Sequence, residues 1–181
     1  MAKNYTKYFK GKKITVMGLG LLGRGVGDTA FLAEMGAELI VTDLKAEREL
    51  AESLNKLKSY DISYDLGGHS FESFRNRDFI VKAAGTPLDS PYIAEARKYT
   101  IPVRMSADLL VELAGVTTIG VTGTRGKSTV TNLIAHTLRK AGEDVLLGGN
   151  IRGVSNLALL KEVRPGSILV LELDSWQLQG F

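Results

Sequence analysis

The sequence predicts an α/β protein built on parallel sheets in two successive domains. Short apolar segments with strand character alternate with segments whose apolar residues recur at helical spacing, as in parallel strands joined by right-handed crossover helices. Glycine-rich turns lie between strand and helix at residues 18–23 and 120–126. Since the alternation starts afresh near residue 116, we expect one domain over residues 1–115 and a second over residues 116–181.

In the first domain, a buried strand over Lys13–Met17 leads into the first glycine-rich turn. A helix is expected over residues 24–35, because Val26, Phe31 and Met35 recur at helical spacing, and Gly36 then occupies the C-cap position. The remaining elements expected here are strands at residues 38–42, 79–82 and 103–105, and helices at residues 46–57, at 91–99 and from residue 106 or 108 onward.

In the second domain, a strand over Thr117–Val121 enters the second glycine-rich turn, and a helix over residues 127–141 follows it. Further strands are expected at residues 144–147 and 167–173. The last of these is strongly apolar and carries Glu172 and Asp174 near its C-terminal end, the edge at which parallel sheets bind ligands.

Composition and charge narrow the possible functions. The 181 residues are enough for two small cores, and 23 basic against 20 acidic residues, interspersed along the chain, give a net charge of only +3. The absence of cysteine excludes disulfides and thiolate metal sites. No apolar run has the length of a membrane span. We therefore expect a cytoplasmic protein that binds neither nucleic acid nor membrane. We also expect a monomer, although the sequence carries no direct signal of oligomeric state.

The second glycine-rich turn has the features of a phosphate-binding loop. Its glycines let backbone N–H groups face phosphate oxygens, and the following helix directs its positive end at them. Lys127 would reach the terminal phosphates and Ser128 would ligate Mg²⁺. The usual pattern has glycine where Val121 stands, so an ordinary strand-to-helix turn is the alternative. The residues predicted to bind nucleotide are Gly123, Thr124, Arg125, Gly126, Lys127, Ser128 and Thr129.

The first glycine-rich turn matches the Gly-x-Gly-x-x-Gly pattern of Rossmann-like dinucleotide-binding domains. Asp43 follows at the end of the next strand, where an acidic side chain can contact a ribose or a base. One alternative is a turn that only packs helix against strand, and another is NAD binding in an oxidoreductase. Because a phosphate-binding loop farther along is not expected in a simple dehydrogenase, we favour two ligands, one similar to ATP and one a nucleotide-tagged substrate.

Four segments, taken in order, resemble the Mur ligases of bacterial peptidoglycan synthesis. They are residues 18–23 with Asp43, residues 120–129, residues 148–151 and residues 171–178. The resemblance covers nearly the whole chain, and the phosphate loop together with Gly-Gly-Asn-Ile at 148–151 is specific. It implies a Rossmann-like domain followed by the start of a P-loop ATPase-type domain. It further implies ATP-dependent addition of D-glutamate to UDP-N-acetylmuramoyl-L-alanine through an acyl phosphate.

The resemblance also implies roles for single residues, with ATP and Mg²⁺ as cofactors. Lys127 would hold the ATP phosphates, Ser128 and Glu172 would ligate Mg²⁺, and Asn150 would contact the muramoyl substrate. We take Lys127, Glu172 and Asn150 as the catalytic group. The region that receives the uridine diphosphate part corresponds to Gly20, Leu21, Leu22, Asp43, Lys45 and Gly85, with Asn150 completing the substrate site.

Departures from the family pattern lead to further expectations. Arg125 replaces a common asparagine, and Asp174 stands where serine is frequent. Asp174 either joins the metal shell or caps a turn, and we favour the turn; we expect Trp176 to lie in the core rather than to stack on a base. Arg24 either contacts a diphosphate or lies on the surface.

His69 and His136 are expected to be structural or exposed. Family members continue through a metal-ligating histidine, a carbamylated lysine and a further domain. We therefore expect an N-terminal fragment that does not catalyse ligation alone, with a non-catalytic UDP-sugar-binding module as the remaining alternative.

Overall fold

The computed structural model describes residues 5–21 and 23–181 and confirms the α/β class, with two parallel sheets flanked by helices. Leu22, one of the predicted substrate-binding residues, lies outside the described residues. Within these two ranges, no helix combines the length and the apolar character needed to cross a membrane.

The first sheet has five parallel strands, and its order reverses beside the first strand. The strands are β1 (Lys13–Met17), β2 (Glu38–Asp43), β3 (Ile62–Leu66), β4 (Phe79–Lys82) and β5 (Val103–Arg104), in the order β3-β2-β1-β4-β5. The accompanying helices are α1 (Thr6–Phe9), α2 (Arg24–Glu34), α3 (Glu47–Leu57), α4 (Pro91–Lys98) and α5 (Ser106–Ala114). In chain order, β2 and β3 are added on one side of β1, and β4 and β5 are then added on its other side. A topological switch point therefore lies between β1 and β4.

Strand β3 was not expected from the sequence. It pairs with β2 at the edge of the sheet, where its middle residues are exposed and only Ile62 and its last two residues are half-buried. An edge strand needs few apolar side chains, and its pattern is correspondingly weak. At the end of α2, Gly36 adopts the left-handed conformation (φ 81°), as a C-cap glycine does.

The second sheet has three parallel strands in the order β6-β8-β7: β6 (Thr117–Val121), β7 (Val145–Gly149) and β8 (Ile168–Glu172). Helix α6 (Lys127–Lys140) follows β6. Strand β7 runs past the predicted end at residue 147, because Gly148 and Gly149 continue the ladder beside Leu171 and Glu172. The C-terminal ends of β7 and β8 therefore lie side by side.

One cluster of buried side chains joins the two sheets. It includes Val16 of β1 and Leu32 of α2 together with Leu157, Leu160 and Leu171 from the second half of the chain. A 3-10 turn, Ala158–Lys161, supplies part of this contact against α2 and α5. The shared core holds the glycine-rich turn after β1 close to the C-terminal ends of β7 and β8.

Candidate functional site

A cavity of about 240 Å³ opens at the switch point, above the C-terminal ends of β1 and β4. Loops leave the two sides of a switch point in opposite directions, which is why open α/β sheets bind ligands there. Three of the predicted substrate-binding residues line the cavity, namely Gly20, Leu21 and Gly85. Gln177, which follows β8, closes it from the side of the second sheet.

Asp43 lies at the end of β2, beside the first glycine-rich turn, and is buried. Its Oδ2 accepts a hydrogen bond from the Gly20 amide (3.0 Å), and its Oδ1 accepts one from the Lys45 amide (2.9 Å). The carboxylate therefore fixes the glycine-rich turn to the end of β2. Beside these residues in sequence, Leu21 and Leu44 are 58% and 71% exposed, so apolar surface adjoins the turn.

Sequence reasoning missed Lys82, which ends β4 and is almost fully buried in the wall of the cavity. Its Nζ donates to the carbonyl oxygens of Thr86 (3.0 Å), Ala84 (3.3 Å) and Ala83 (3.4 Å). Burial lowers the pKa of this ammonium group, and the Asp174 carboxylate acts in the opposite direction. The loop that carries Gly85 is thus wrapped around a buried cation. The only signal was a lysine closing an otherwise apolar strand.

The second glycine-rich turn is open to solvent: residues 122–126 are all exposed. Gly123 and Gly126 have φ angles of 149° and 78°, conformations that residues with a side chain rarely adopt. Lys127 begins α6, and its Nζ donates to the Gly123 carbonyl oxygen at 2.8 Å, so its ammonium group lies across the turn. The seven residues predicted to bind nucleotide therefore form one continuous, accessible segment.

Glu172 ends β8 directly beside Val121, the residue from which this turn departs. Its side chain is only 8% exposed, yet its carboxylate makes no hydrogen bond or ion pair with any residue within 5–21 or 23–181. Since neither of its carboxylate oxygens is among the buried polar atoms that lack a partner, both stay accessible to a ligand. Ser128 lies in the first turn of α6, just beyond this glycine-rich turn, and is exposed.

These donors suit Mg²⁺ that is bound jointly with phosphates. Among the described residues, no group of three or more His, Cys, Asp or Glu side chains could hold a metal by itself. Mg²⁺ is commonly held by one or two protein oxygens together with phosphate oxygens and water. Ser128 and Glu172 each carry a side-chain oxygen that such a site could use.

The two halves meet where α2 packs against residues 149–157. Arg24 lines the switch-point cavity, and its Nη1 donates to the Gly149 carbonyl oxygen and to Asn150 Oδ1, both at 3.1 Å. The Asn150 amide in turn donates to the Glu172 carbonyl oxygen at 2.6 Å. The structure thus brings the predicted Asn150 and Glu172 together and adds Arg24 to them.

A second contact at this junction is made by Asp28, which is also buried. Its Oδ1 accepts from Ser155 Oγ (2.6 Å) and from the Leu157 amide (3.0 Å). Removal from water raises the pKa of this carboxyl group, although these hydrogen bonds and Arg24 act in the opposite direction. An acidic residue within an amphipathic helix gave no sign of this role.

Two expectations about the end of the chain had opposite outcomes. Asp174 Oδ1 accepts a hydrogen bond from the Gln177 amide at 2.8 Å, so the carboxylate caps a turn as expected. The expectation that Trp176 lies in the core was wrong, because its side chain is 45% exposed. The 3-10 turn Gln177–Gly180 directs Gln177 into the cavity wall instead.

The histidines are structural or exposed, as expected. His69 Nδ1 lies 2.5 Å from Thr42 Oγ1, and its ring packs edge-on against Tyr92. Burial lowers the pKa of His69, although the nearby Asp43 and Asp65 carboxylates act in the opposite direction. His136 is exposed on α6.

Comparison with protein families identifies the family of this chain. The model of the N-terminal domain of MurD-like Mur ligases matches residues 12–105. The chain belongs to the MurD-like Mur ligases. Two curated relatives, each named UDP-N-acetylmuramoylalanine–D-glutamate ligase, extend the similarity over 94% of the chain: 40% identity over 173 residues in Borreliella burgdorferi and 35% over 170 residues in Acidobacterium capsulatum. The chain covers only 37% and 36% of these relatives.

Solved structures of other Mur ligases share the fold. The UDP-N-acetylmuramate–alanine ligase of Thermotoga maritima matches with a TM-score of 0.51 at 22% identity, over 90% of this chain and 37% of that one. UDP-N-acetylmuramate:L-alanyl-γ-D-glutamyl-meso-diaminopimelate ligase of Neisseria meningitides gives 0.53 at 19% identity, over 91% and 52%. The Rossmann-like first sheet expected for this MurD-like chain is thereby confirmed.

Proposed function

We propose that this chain forms the substrate- and nucleotide-binding part of an ATP-dependent ligase that adds D-glutamate to UDP-N-acetylmuramoyl-L-alanine. In this proposal residues 1–115 form the domain that holds the UDP part, and residues 116–181 begin the domain that binds ATP. The observation that carries it is that an open phosphate loop beside the unpartnered Glu172 carboxylate adjoins a second glycine-rich turn at a switch-point cavity. A cytoplasmic location and a monomeric state belong to the same proposal.

The switch-point cavity supplies the features that a uridine diphosphate group requires. Gly18, Gly20 and Leu21 of the first glycine-rich turn line the cavity just before the start of α2, where the helix dipole favours a diphosphate. The exposed Leu21 and Leu44 offer apolar surface for a flat base. Asp43 acts chiefly by holding Gly20 and Lys45 in place, so its contribution to substrate affinity is largely indirect.

The second glycine-rich turn supplies the features that a triphosphate requires. Its exposed amides and the Lys127 ammonium group would hold the phosphates, while Ser128 and Glu172 would hold Mg²⁺. When bound, Mg²⁺ offsets the repulsion between the carboxylate substrate and the triphosphate. Lys127 stabilises the charge that moves onto the transferred phosphoryl oxygens, which is where most catalysis of phosphoryl transfer arises.

Asn150 lies between the two sites and would orient the muramoyl part of the substrate. The hydrogen bond from its backbone amide to the Glu172 carbonyl oxygen holds its backbone at the end of β8, so the position from which its side chain extends is fixed. The alternative of an NAD-dependent oxidoreductase is disfavoured, because the chain belongs to the Mur ligases and carries a second, open phosphate loop.

Titrations followed by the backbone amide signals of the 181-residue chain test this proposal. UDP-N-acetylmuramoyl-L-alanine is expected to shift signals of residues 18–23, and ATP with Mg²⁺ those of residues 123–129. Lys127→Ala should weaken ATP binding about 10- to 100-fold, because a donor to a charged group is lost, and leave the UDP ligand unaffected.

Lys140→Ala, at the exposed far end of α6, is the matched control and should bind ATP like the wild type. Unchanged ATP affinity in Lys127→Ala would contradict the assignment of the loop. NADH binding tighter than that of the UDP ligand would overturn the substrate assignment.

A further inference from the structure

Arg24 is the first residue of α2 and directly follows Gly23 in the first glycine-rich turn. Its half-buried side chain reaches across the junction, where Nη1 donates both to the Gly149 carbonyl oxygen and to Asn150 Oδ1. A guanidinium group has donors only, so it can contact a carboxamide only through the oxygen. The Asn150 oxygen must therefore face Arg24.

The backbone beneath Asn150 is already fixed. Gly149 has a φ of 89°, and a Cβ added to it would lie 2.1 Å from the Glu172 carbonyl oxygen. The Asn150 amide donates to the same oxygen at 2.6 Å. Rotation of the side-chain carboxamide is the main freedom left at this position.

The Asn150 Nδ2 group makes no hydrogen bond within the part of the chain that the structure describes. With Oδ1 bonded to Arg24, the carboxamide presents its –NH₂ donor, and not its oxygen acceptor, to a ligand. The muramoyl part of the proposed substrate is rich in hydroxyl, amide and carboxylate oxygens, which are the partners such a donor takes.

We propose that Arg24 is a positioning residue that sets the orientation of the Asn150 carboxamide towards the sugar and peptide side of the substrate. Arg24 thereby links the turn that receives the diphosphate to the strand end that carries Glu172. This inference rests on the proposed function for the identity of the ligand, whereas the orientation of Asn150 does not.

The orientation is tested first in the ligand-free protein. Arg24→Met is expected to shift the side-chain –NH₂ signals of Asn150, because the carboxamide oxygen loses its donor. Arg152→Met, which removes an exposed arginine of the neighbouring loop, should leave these signals in place. If Arg24→Met does not fold, Arg24→Leu, which likewise removes the donor, carries the same test. Unchanged Asn150 signals in the folded variants would overturn the inference.

A double-mutant cycle then tests the role in binding. Arg24→Met and Asn150→Ala are each expected to weaken UDP-N-acetylmuramoyl-L-alanine about tenfold, the scale of one hydrogen bond, and the double variant should lose little more than either. Because UDP lacks the sugar and peptide, its affinity should change less than about threefold in every variant.

Losses that multiply in the double variant would show that Arg24 acts independently of Asn150, and an equal loss of UDP affinity would show direct diphosphate contact. Either result overturns the inference while leaving the proposed function intact. A wild-type chain that binds neither ligand would instead refute the proposed function, and the Asn150 signals would still decide the orientation.

Discussion

The two glycine-rich turns of this chain follow the same local plan but occupy opposite environments. Each leaves a five-residue parallel strand and enters a helix after a left-handed glycine, Gly23 in one and Gly126 in the other. Helix α2 buries residues along its length and is covered by residues of the second half, whereas α6 buries only Thr131 and Ala135. One turn is packed into the molecule, and the other is open.

Glycine serves different physical purposes in the first turns of α2 and at the end of the second glycine-rich turn. A Cβ on Gly25 would lie 2.2 Å from the Leu19 carbonyl oxygen, and one on Gly27 would lie 2.6 Å from Ser155 Cβ, so both glycines permit close packing. A Cβ on Gly126 would meet nothing within 4 Å, and only its φ of 78° requires glycine. Similar motifs can thus use glycine either to bring surfaces together or to leave backbone amides accessible.

The largest expected effect comes from truncating one leucine on each of the two helices. Leu32→Ala on α2 should lower the free energy of unfolding by about 3 kcal/mol, because a fully buried side chain leaves a cavity in the shared core. Leu133→Ala on α6, where the side chain is 62% exposed, should change it by less than about 0.5 kcal/mol. Urea unfolding followed by circular dichroism measures both. Equal losses would refute the contrast between the helices.

The next effect separates the two uses of glycine. Gly25→Ala should cost about 2–3 kcal/mol, because its Cβ meets backbone that cannot move aside. Gly126→Ala should lower the free energy of unfolding by about 1–2 kcal/mol, because alanine is strained in the left-handed conformation, although the added methyl group meets open space. Thermal unfolding of the two variants gives the comparison. A greater loss in Gly126→Ala would mean that the second turn is also packed.

The smallest effect is electrostatic and concerns Asp28 at the packed junction. Its pKa is raised above the ordinary 3.8, so the folded state holds this proton more tightly than the unfolded state. Its contribution to stability is therefore full below pH 3.8 and is lost as the pH rises through the raised pKa.

Asp28→Asn keeps an oxygen acceptor for Ser155 and Leu157 without the charge. Relative to the wild type, the variant should gain stability as the pH rises above 3.8. Unfolding free energies measured from pH 3.5 to 8 would show this as diverging curves, and parallel curves would show that Asp28 does not titrate differently on folding.

Much of the fold was predictable because local patterns and tertiary structure agree. Strand β1 was predicted within its observed bounds, and the start of α6 at Lys127 followed from the glycine before it. Edge strand β3 was missed because edge positions demand little apolar pattern. Trp176 was misplaced because hydrophobicity alone does not tell which side of a short 3-10 turn faces the interior.

The candidate site was predictable in its parts and not in its connections. The residues of both glycine-rich turns, together with Asn150 and Glu172, could be named from motifs and from the family resemblance, and their roles stay predictions. Lys82 could not be named, because its partners are local but its burial depends on the packing around β4. The Arg24–Asn150 contact could not be named, because it joins residues far apart in the sequence that meet only when the sheets form.

The sequence by itself determined the alternation of strands and helices, the positions of both glycine-rich turns and the family. These follow from periodicity and from backbone conformations that only glycine readily adopts, and both act over a few residues. Tertiary structure alone decided which turn is buried and which is open, and which polar side chains meet at the junction. Burial and hydrogen bonding between distant residues depend on how the two sheets pack on their shared core, and no local pattern encodes that packing.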